Sequence, residues 1–340
     1  MRDTTIIISE FGTSVRKRGG RFVIRGCDNV TREVAASRTE RIILPTRGAS
    51  ISTDAIVLAV EEDVPVYFAH QNGRPVAYLT AARGNGMART RRAQYSASHD
   101  TSACLIKGFV TGKISNQRAL LQRKTRDRRA TLGRHRELNE SAIEGLTQSM
   151  EQINALANDE PKLVNKIMVL EAHAASRYWA SLGTMIPDRL EFPGRRTRGA
   201  SDPVNRLLNY GYAVLRNEVW SAVTYAGLDP FCGFLHADRS SRPSLVLDLM
   251  EEFRAPVVDS IVMRMVCQWN APPTKIVEER RLTSWATVQL MQLIADRLSS
   301  SVPYRGESVR MDVIISRQAE LVARTLRGCG TTYRPFTRRL

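Results

Sequence analysis

The chain has 340 residues, of which 43% are hydrophobic, so it can bury a sizeable core in two domains or in one domain with an appendage. Its formal net charge of +16 exceeds what solubility requires and favours a polyanionic partner, either nucleic acid or an anionic membrane surface. No apolar run approaches the roughly 20 residues that span a bilayer, and the N-terminal apolar stretch is too short for a signal peptide.

The five cysteines are scattered and never form a Cys-x-x-Cys pair. This spacing argues against a zinc site or a disulfide framework and favours a reducing environment. We therefore expect a cytoplasmic protein without a membrane partner.

Residues 1–85 are predicted to form a small β domain, because their apolar residues occur in short, β-branched and aromatic runs between turn signals. Predicted strands cover 4–9, 21–25, 41–44, 64–69 and 75–79. The dipeptides Gly19-Gly20 and Asn72-Gly73 indicate hairpin turns. Thr53 is expected to cap one short helix over 54–61.

Glycines and arginines over 83–92 suggest a domain boundary, with a linker at 86–94 and an all-α domain over 95–340. Helical periodicity predicts helices at 98–110, 115–126, 161–182, 257–269, 284–299 and 309–327. Pro161 suits a first helical turn, and Asp202-Pro203 predicts the capped start of a further helix. The fold class is therefore α+β, and the basic C-terminal tail is expected to be loose.

Basic residues are densest over 118–136, where almost no acid interleaves. Such a cluster is typical of a phosphate-contacting surface, although a solvated helix face is an equal alternative. The residues predicted to bind DNA are Arg89, Arg91, Arg92, Arg118, Arg123 and Arg126.

An isolated histidine, His236, precedes a helix that carries Asp248, Glu251 and Glu252. Residues three and four apart share a helix face, so these carboxylates are expected to repel one another unless something compensates them. A divalent cation near the imidazole would do so. The alternative is an ordinary solvated acidic face.

Glu171 lies at a core-type position of the helix predicted over 161–182, on a stripe with Val164, Met168, Ala175 and Tyr178. A buried carboxylate must be paired, metal-bound or shifted in pKa. An ion pair with Arg177 is a fair alternative to a metal.

The helix after Asp202 has a polar stripe that includes Asn205, Asn209 and Tyr212. Interhelical hydrogen bonding explains this stripe better than direct catalysis does. The basic loop over 191–201 that precedes the helix is expected to be mobile.

Five motifs together resemble the CRISPR-associated integrase, the near-universal protein of CRISPR adaptation. They are Lys113-Ile-x-Asn-Gln117, Glu171-x-x-x-Ala-Ser-Arg-Tyr-Trp179, Asp202-Pro-Val-Asn-x-Leu-Leu-Asn-Tyr-Gly-Tyr212, Gly233-Phe-Leu-His236 and Ser244-Leu-x-Leu-Asp-Leu-Met-Glu-Glu-Phe-Arg254. They occur in the family's order and cover most of the chain from about residue 90. One departure is Ala255 before Pro256, which should still end the helix at Ala255.

The resemblance implies a β domain that dimerises and a helical catalytic domain in which Glu171, His236 and Glu251 bind Mg²⁺ or Mn²⁺. Asp248, Asn205, Asn209, Tyr212 and Arg254 would then support these ligands or position DNA. The implied reaction joins the 3′-hydroxyl ends of a duplex prespacer to a CRISPR repeat by transesterification. The implied partners are double-stranded DNA, a second copy of the chain and the small ferredoxin-like second CRISPR-associated protein.

Three alternatives remain open from the residues. The same site could hydrolyse branched DNA as a structure-selective nuclease. A non-catalytic basic DNA-binding protein would share the charge, but it would gain nothing from placing Glu171 on a buried stripe. Tyr212 could instead be the nucleophile of a tyrosine recombinase, which would leave protein–DNA adducts and need no metal.

Overall fold

The computed structural model describes residues 4–8, 10–45, 48–70, 75–79, 87–127, 135–236, 241–268, 271–279 and 281–338. It confirms the α+β class, since a strand-rich N-terminal region precedes a larger, mostly helical region. The elements of the first region are β1 (Thr4–Ile7), β2 (Ser14–Arg18), β3 (Arg21–Arg25), β4 (Thr31–Ala35), β5 (Thr39–Leu44), β6 (Ser50–Ile51), α1 (Thr53–Glu61), β7 (Val66–Ala69) and β8 (Pro75–Leu79).

Two sheets enclose the N-terminal core. In the first, with the order β1-β5-β7-β8, strands β1, β5 and β7 are parallel and β8 pairs antiparallel with β7. A parallel pair needs a crossover connection, and α1 supplies it between β5 and β7. Val15, Phe22 and Ile42 are fully buried between the elements.

The second sheet has the order β4-β3-β2-β6. Its β2–β3 hairpin turns at Gly19-Gly20 as predicted, with Gly19 at a φ of 54°, where glycine has no Cβ strain. Strands β2 and β4 were not among the predicted strands, because their charged residues obscure the strand pattern. Asn72-Gly73, the other predicted turn, lies outside the described residues.

The helical region follows. Its elements are α2 (Met87–Tyr95), α3 (His99–Asp127), α4 (Arg136–Ala155), α5 (Leu163–Gly183), α6 (Pro203–Tyr225), α7 (Ser244–Phe253), a π-helical turn (Arg254–Asp259), α8 (Ser260–Gln268), α9 (Pro273–Ile276), β9 (Val277–Glu278), β10 (Arg281–Leu282), α10 (Ser284–Ser299), β11 (Ser301–Tyr304), β12 (Glu307–Arg310) and α11 (Met311–Leu326). Two small hairpins, β9–β10 and β11–β12, thus interrupt a region predicted to be all helical.

Helix α3 is the central element, and it packs against α4, α5 and α7. The predicted break between residues 110 and 115 does not occur. Gly112 lies inside the helix, where Pro335 and Glu252 come close to its backbone. Close packing, and not a turn, therefore explains why this position has no side chain.

Pro256 does not end the helix at Ala255 as predicted. A π-helical turn follows α7 and leads directly into α8. Proline lacks the N–H of an α-helical hydrogen bond, and a locally widened turn lets the chain continue past it. The Pro256 carbonyl accepts hydrogen bonds from Ser260 Oγ at 2.9 Å and Arg297 Nε at 2.8 Å.

The C-terminal segment 331–338 is packed, so the prediction of a loose tail is wrong. Tyr333 and Phe336 are buried, and Phe336 stacks on Phe253 with the ring centroids 5.5 Å apart. Asn116 Nδ2 on α3 donates to the carbonyls of Glu252 and Phe336, both at 2.8 Å. Burial of Tyr333 and Phe336 therefore keeps this segment packed, despite its basic composition.

Three local details also differ from expectation. Ser52, and not Thr53, caps α1, because its side chain accepts the N–H of Ala55. The predicted linker coincides with α2, and α5 begins after Pro161, at Leu163. The predicted cap of Asp202 and the first-turn position of Pro203 are confirmed at α6.

Within the described ranges, no helix is both long enough and apolar enough to cross a membrane.

Candidate active site

Two acidic residues that are far apart in sequence face the same lysine. The Nζ atom of Lys113, on α3, lies 2.5 Å from Glu171 Oε1 on α5 and 2.7 Å from Glu251 Oε2 on α7. Burial would lower the pKa of Lys113, but the two carboxylates outweigh burial and raise it. A protonated lysine therefore stands between two of the three residues predicted to bind a metal.

Glu171 reaches this position from the buried face of α5. Ile167, Ala174 and Tyr178 on that face are fully buried, and Glu171 falls between them at helical spacing. The predicted stripe was displaced by one residue, since Met168 is exposed. Arg177 was the alternative ion-pair partner, but its Nη1 points to the Gly145 carbonyl at 3.5 Å.

Glu251 is almost completely buried, with its side chain 6% exposed. Its Oε2 lies 3.0 Å from Arg254 Nε and 2.7 Å from Lys113 Nζ, although neither contact has hydrogen-bond geometry. Burial would raise the pKa of Glu251, but Arg254 and Lys113 outweigh it and lower the pKa to about 2. A protonated His236 imidazole acts in the same direction, so this histidine is near enough to influence Glu251.

Asp248 fixes the loop that carries His236. Its carboxylate is fully buried and accepts the backbone N–H groups of Phe234 at 2.7 Å, Leu235 at 3.0 Å and His236 at 3.1 Å. It also lies 2.6 Å from His236 Nδ1. With a carboxylate as acceptor, Nδ1 carries the proton and Nε2 keeps its lone pair for another ligand.

Glu252 has a separate environment behind the site. It accepts hydrogen bonds from Tyr333 Oη, from Phe336 N at 2.8 Å and from Gln318 Nε2 at 3.0 Å. Burial raises the pKa of Glu252 to about 8, although these hydrogen bonds act in the opposite direction. The carboxylates of α7 therefore have different compensating partners: His236 and backbone N–H groups for Asp248, Lys113 and Arg254 for Glu251, and uncharged donors for Glu252.

Among the residues that the structure describes, no group of three or more His, Cys, Asp or Glu side chains is arranged to hold a metal ion. The chemistry of the donor set nevertheless fits a divalent cation. Lys113 already places positive charge against Glu171 and Glu251, and carboxylate oxygens with an imidazole nitrogen suit Mg²⁺ or Mn²⁺. The ligand set Glu171, His236 and Glu251 stays a prediction.

Tyr212 is buried beside the site and is poorly suited to act as a nucleophile. Its hydroxyl donates to Asp259 Oδ1 at 2.5 Å, and Tyr178 donates to the other oxygen of Asp259 at 2.7 Å. Burial, reinforced by Asp259, raises the pKa of Tyr212 well above its usual range. The Tyr212 ring instead lies beneath the guanidinium of Arg254, 4.7 Å from its centroid.

Asn205 and Asn209 do not reach the acidic residues. They point from α6 to the basic loop over 194–198, where Asn205 Nδ2 donates to the Gly194 carbonyl at 2.8 Å and Asn209 Nδ2 to the Thr197 carbonyl at 3.1 Å. The loop that was expected to be mobile is therefore attached to α6.

The residues predicted to bind DNA lie on two helices. On α2, Arg89 and Arg92 are exposed and Arg91 is half-buried. On α3, Arg126 is exposed, whereas Arg118 donates to Thr147 Oγ1 of α4 at 3.0 Å and so has a packing role. Arg123 is half-buried. Burial is the main cause that lowers the pKa values of Arg297 and Arg338, and repulsion by the positive charge of Arg123 lowers them further.

Sequence patterns did not single out Lys113, Asp259 or the tail as parts of the site. Lys113 occurs in a motif, but its partners lie 58 residues away and beyond, so no local spacing identifies them. Within their shared motif, Asn116 follows Lys113 by about one helical turn, which places the two residues on the same side of α3.

A family model described as "CRISPR associated protein Cas1" matches residues 6–283. A relative named CRISPR-associated endonuclease Cas1 1, from Archaeoglobus fulgidus, is 33% identical over 341 residues, which cover 95% of this chain and 96% of the relative.

Two solved structures have the same fold. A casposase bound to its integration product superposes with a TM-score of 0.79 at 21% identity, covering 99% of this chain and 93% of that one. A chain of a Cas6-RT-Cas1–Cas2 complex gives a TM-score of 0.76 at 16% identity, covering 100% of this chain and 36% of that one. By the family match and the identity to its relatives, the chain belongs to the Cas1 family of CRISPR-associated proteins.

Proposed function

We propose that this chain is a metal-dependent DNA integrase of CRISPR adaptation, which joins prespacer 3′-hydroxyl ends to the CRISPR repeat by transesterification. The observation that carries the proposal is the meeting of Glu171 and Glu251 at one cation, Lys113, close to a histidine that Asp248 orients. The proposal also draws on membership of a family whose relatives are named endonucleases.

In this proposal Glu171, Glu251 and His236 would hold Mg²⁺ or Mn²⁺, whose charge would replace that of Lys113 against the two carboxylates. Such an ion supplies the positive charge that polarises a phosphate and stabilises the departing oxygen. Asp248 keeps Nδ1 of His236 protonated, so that Nε2 faces the ligand. Arg254 balances the charge of Glu251 and remains available to a phosphate oxygen.

The proposed partners follow from charge and from the relatives. A net charge of +16 suits duplex DNA, and one structural neighbour is titled as a casposase bound to its integration product. Another belongs to a complex that contains Cas2, so we propose the small ferredoxin-like Cas2 as the protein partner. Dimerisation through the N-terminal β region and a cytoplasmic location complete the proposal.

A strand-joining assay with a 3′-hydroxyl duplex and a repeat-containing target tests the reaction. Wild-type joining should require Mg²⁺ or Mn²⁺ and stop in EDTA. Glu171→Gln and His236→Ala should lower joining by at least about 100-fold, because several kcal/mol of charge stabilisation are lost, while duplex binding persists.

The matched control is His173→Ala, which removes an exposed histidine two residues from Glu171 on the same helix. It should join strands like the wild type. If His236→Ala and Glu171→Gln lose DNA binding and joining equally, the two residues are structural and the assignment fails.

A second candidate is a structure-selective endonuclease, which the relatives' printed name favours. The two reactions differ in whether a 3′-hydroxyl or water attacks the phosphate. A duplex with 3′-deoxy ends cannot be joined, so cleavage of branched DNA without any joining of hydroxyl-ended duplex would favour the nuclease. Metal-independent protein–DNA adducts that disappear in Tyr212→Phe would instead favour a tyrosine nucleophile.

A further inference from the structure

A short basic loop stands beside the candidate site and is held there by two asparagines of α6. The loop runs from Gly194 to Gly199, and between these glycines it contains three arginines, Arg195, Arg196 and Arg198, and no acid. Both glycines have positive φ values, 95° and 66°, which define where the chain turns into and out of the loop.

Asn205 anchors the first half of the loop. Its Oδ1 accepts the Arg196 N–H at 2.8 Å and Arg195 Nη1 at 3.0 Å, and its Nδ2 donates to the Gly194 carbonyl at 2.8 Å. The asparagine itself is fully buried, and Asp202 accepts both its backbone N–H and its Nδ2. Every polar atom of the Asn205 side chain is thus used in positioning this loop or the start of α6.

Asn209 anchors the second half from one helical turn further along. Its Nδ2 donates to the Thr197 carbonyl at 3.1 Å and lies 3.5 Å from the Arg196 carbonyl. With its backbone carbonyls held from below, the loop directs the side chains of Arg196 and Arg198 outward, and both are exposed. Neither has an acidic partner among the residues that the structure describes.

Arg195 connects the loop to the site. Its guanidinium lies 5.2 Å from the Tyr212 ring centroid and 5.9 Å from that of Trp179. Arg254 covers the same Tyr212 ring and pairs with Glu251. The loop is therefore positioned at the edge of the acidic cluster, with one arginine turned inward and two left for an external anion.

We infer that Gly194–Gly199 is a phosphate-binding loop that holds one strand of the DNA backbone against the candidate active site. In this inference Arg196 and Arg198 contact phosphates, while Asn205 and Asn209 are positioning residues that act through the loop. Exposed, unpaired guanidinium groups on a fixed backbone suit phosphate oxygens, which accept two parallel N–H donors from arginine. The inference rests on the proposed function for the identity of the anion as DNA.

The first test removes the two outward charges in Arg196→Ala/Arg198→Ala and measures duplex binding by fluorescence anisotropy from 50 to 300 mM salt, about the range in which phosphate contacts dominate. The slope of the logarithm of the DNA association constant against the logarithm of the salt concentration should become shallower by about 1.8, because each of the two lost phosphate contacts contributes about 0.9. Arg18→Ala/Arg317→Ala is the charge-matched control, since both arginines are exposed and pair with nearby acids. It should leave the slope unchanged, and an equal effect of the two double variants would overturn the loop as a site.

The second test keeps all arginines and releases the loop. Asn209→Ala removes the bond to the Thr197 carbonyl at a half-exposed position, so it disturbs the fold less than a change of the buried Asn205. Trypsin should cleave after Arg196 or Arg198 several-fold faster than in the wild type, and duplex binding should weaken. Unchanged cleavage with normal binding would remove Asn209 from the positioning role.

The two proposals can fail separately. If Arg196→Ala/Arg198→Ala binds DNA like its control while Glu171→Gln still abolishes joining, the loop inference is wrong and the proposed reaction stands. If wild-type protein never joins strands but the loop variants lose salt-dependent DNA binding, the reaction is wrong and the loop stands.

Discussion

Two buried charge clusters in this molecule have the same numbers of acids and permanent cations, but only one of them also contains a histidine. The site cluster contains three acids, Glu171, Asp248 and Glu251, and two permanent cations, Lys113 and Arg254, beside His236. The junction cluster lies where β5 of the N-terminal region meets α6 and α11. Its three acids are Glu40, Glu218 and Asp312, and its two cations are Arg41 and Arg310.

The centre of the junction cluster is buried, whereas Arg310 at its edge is 26% exposed. Arg41 is 5% exposed and bonds to Glu218 at 2.5 Å, Glu40 at 3.3 Å and Asp312 at 3.4 Å, so its guanidinium joins elements up to 271 residues apart. Burial would lower the pKa of Arg41, but Glu218 and its other partners outweigh burial and raise it. Tyr67 and Ser299 supply further hydrogen bonds to these acids.

The site cluster is open on one side. Glu171 is 23% exposed and His236 is 21% exposed, and the Nε2 atom of His236 is left without the proton that Nδ1 shares with Asp248. Buried charge alone therefore does not mark a functional site, because the junction has as much. In the proposed function, what distinguishes the site is that a metal ion from solvent would take the place of Lys113 between Glu171 and Glu251.

The largest expected effect is at the junction. Arg41→Met would leave three acids facing Arg310 alone, and breaking a buried ion pair in this way costs about 3–5 kcal/mol of unfolding free energy. Urea unfolding measures the loss. Arg18→Met, which breaks an exposed pair with Glu33, is the control and should cost less than about 1 kcal/mol. Equal small losses in both variants would mean that the junction does not hold the two regions together.

A smaller loss is expected when the lysine of the site cluster is removed. Lys113→Met should lower the unfolding free energy in EDTA by about 2 kcal/mol, because Glu171 and Glu251 lose their shared cation, while Arg254 still pairs with Glu251 and Glu171 is partly open to water. Addition of Mn²⁺ should restore much of this stability, since an ion that binds only the folded state stabilises it. A rise in melting temperature with Mn²⁺ that is no larger in the variant than in the wild type would contradict competition between Lys113 and the metal.

Asp248→Asn tests the orientation of His236 without removing it. The amide cannot serve as the same charged acceptor for Nδ1 and three backbone N–H groups, so strand joining should fall by about 10–100-fold while duplex binding is retained. Asp296→Asn, at an exposed position of α10, is the matched control. Joining by Asp248→Asn at the wild-type rate would show that His236 does not depend on this contact.

These two clusters also show which features a sequence can reveal. The start of α6 was predicted from Asp202-Pro203, because a cap depends only on neighbouring residues. Helical spacing likewise placed Glu171 on a buried face, because periodicity is a property of one helix. Neither prediction required knowledge of the residues that pack against the helix.

Contacts between distant segments could not be predicted in this way. Asn116 binds a tail that is 220 residues away, and Arg41 was read simply as the first residue of a strand. Acidic spacing on α7 predicted a shared cation, yet Asp248, Glu251 and Glu252 turn to three different sets of partners. The choice of Glu251 as the acid grouped with Glu171 and His236 came only from the family motifs, and it stays a prediction.

The smallest expected effect concerns what supports the site cluster from behind. A Cβ at Gly112 would lie 2.7 Å from Pro335 Cβ and 2.9 Å from Glu252 Cγ, so Gly112→Ala must displace the tail or α7. Overpacking of this kind costs about 1–3 kcal/mol, and the better helix propensity of alanine offsets about 1 kcal/mol of it. We therefore expect a net loss of about 1 kcal/mol in urea unfolding, with faster chymotryptic cleavage after Tyr333 or Phe336, whose side chains are buried in the packed tail.

Gly183→Ala provides the control for this last change. The added Cβ would meet Phe192 at 3.6 Å, which is an ordinary contact, so the substitution should be neutral or slightly stabilising. Because Glu252 adjoins Glu251, Gly112→Ala should also lower strand joining more than its small loss of stability explains. If Gly112→Ala joins strands normally although its tail is cleaved faster, Glu251 is held by Lys113 and Arg254 alone, and the site cluster resembles the junction more closely than its open side suggests.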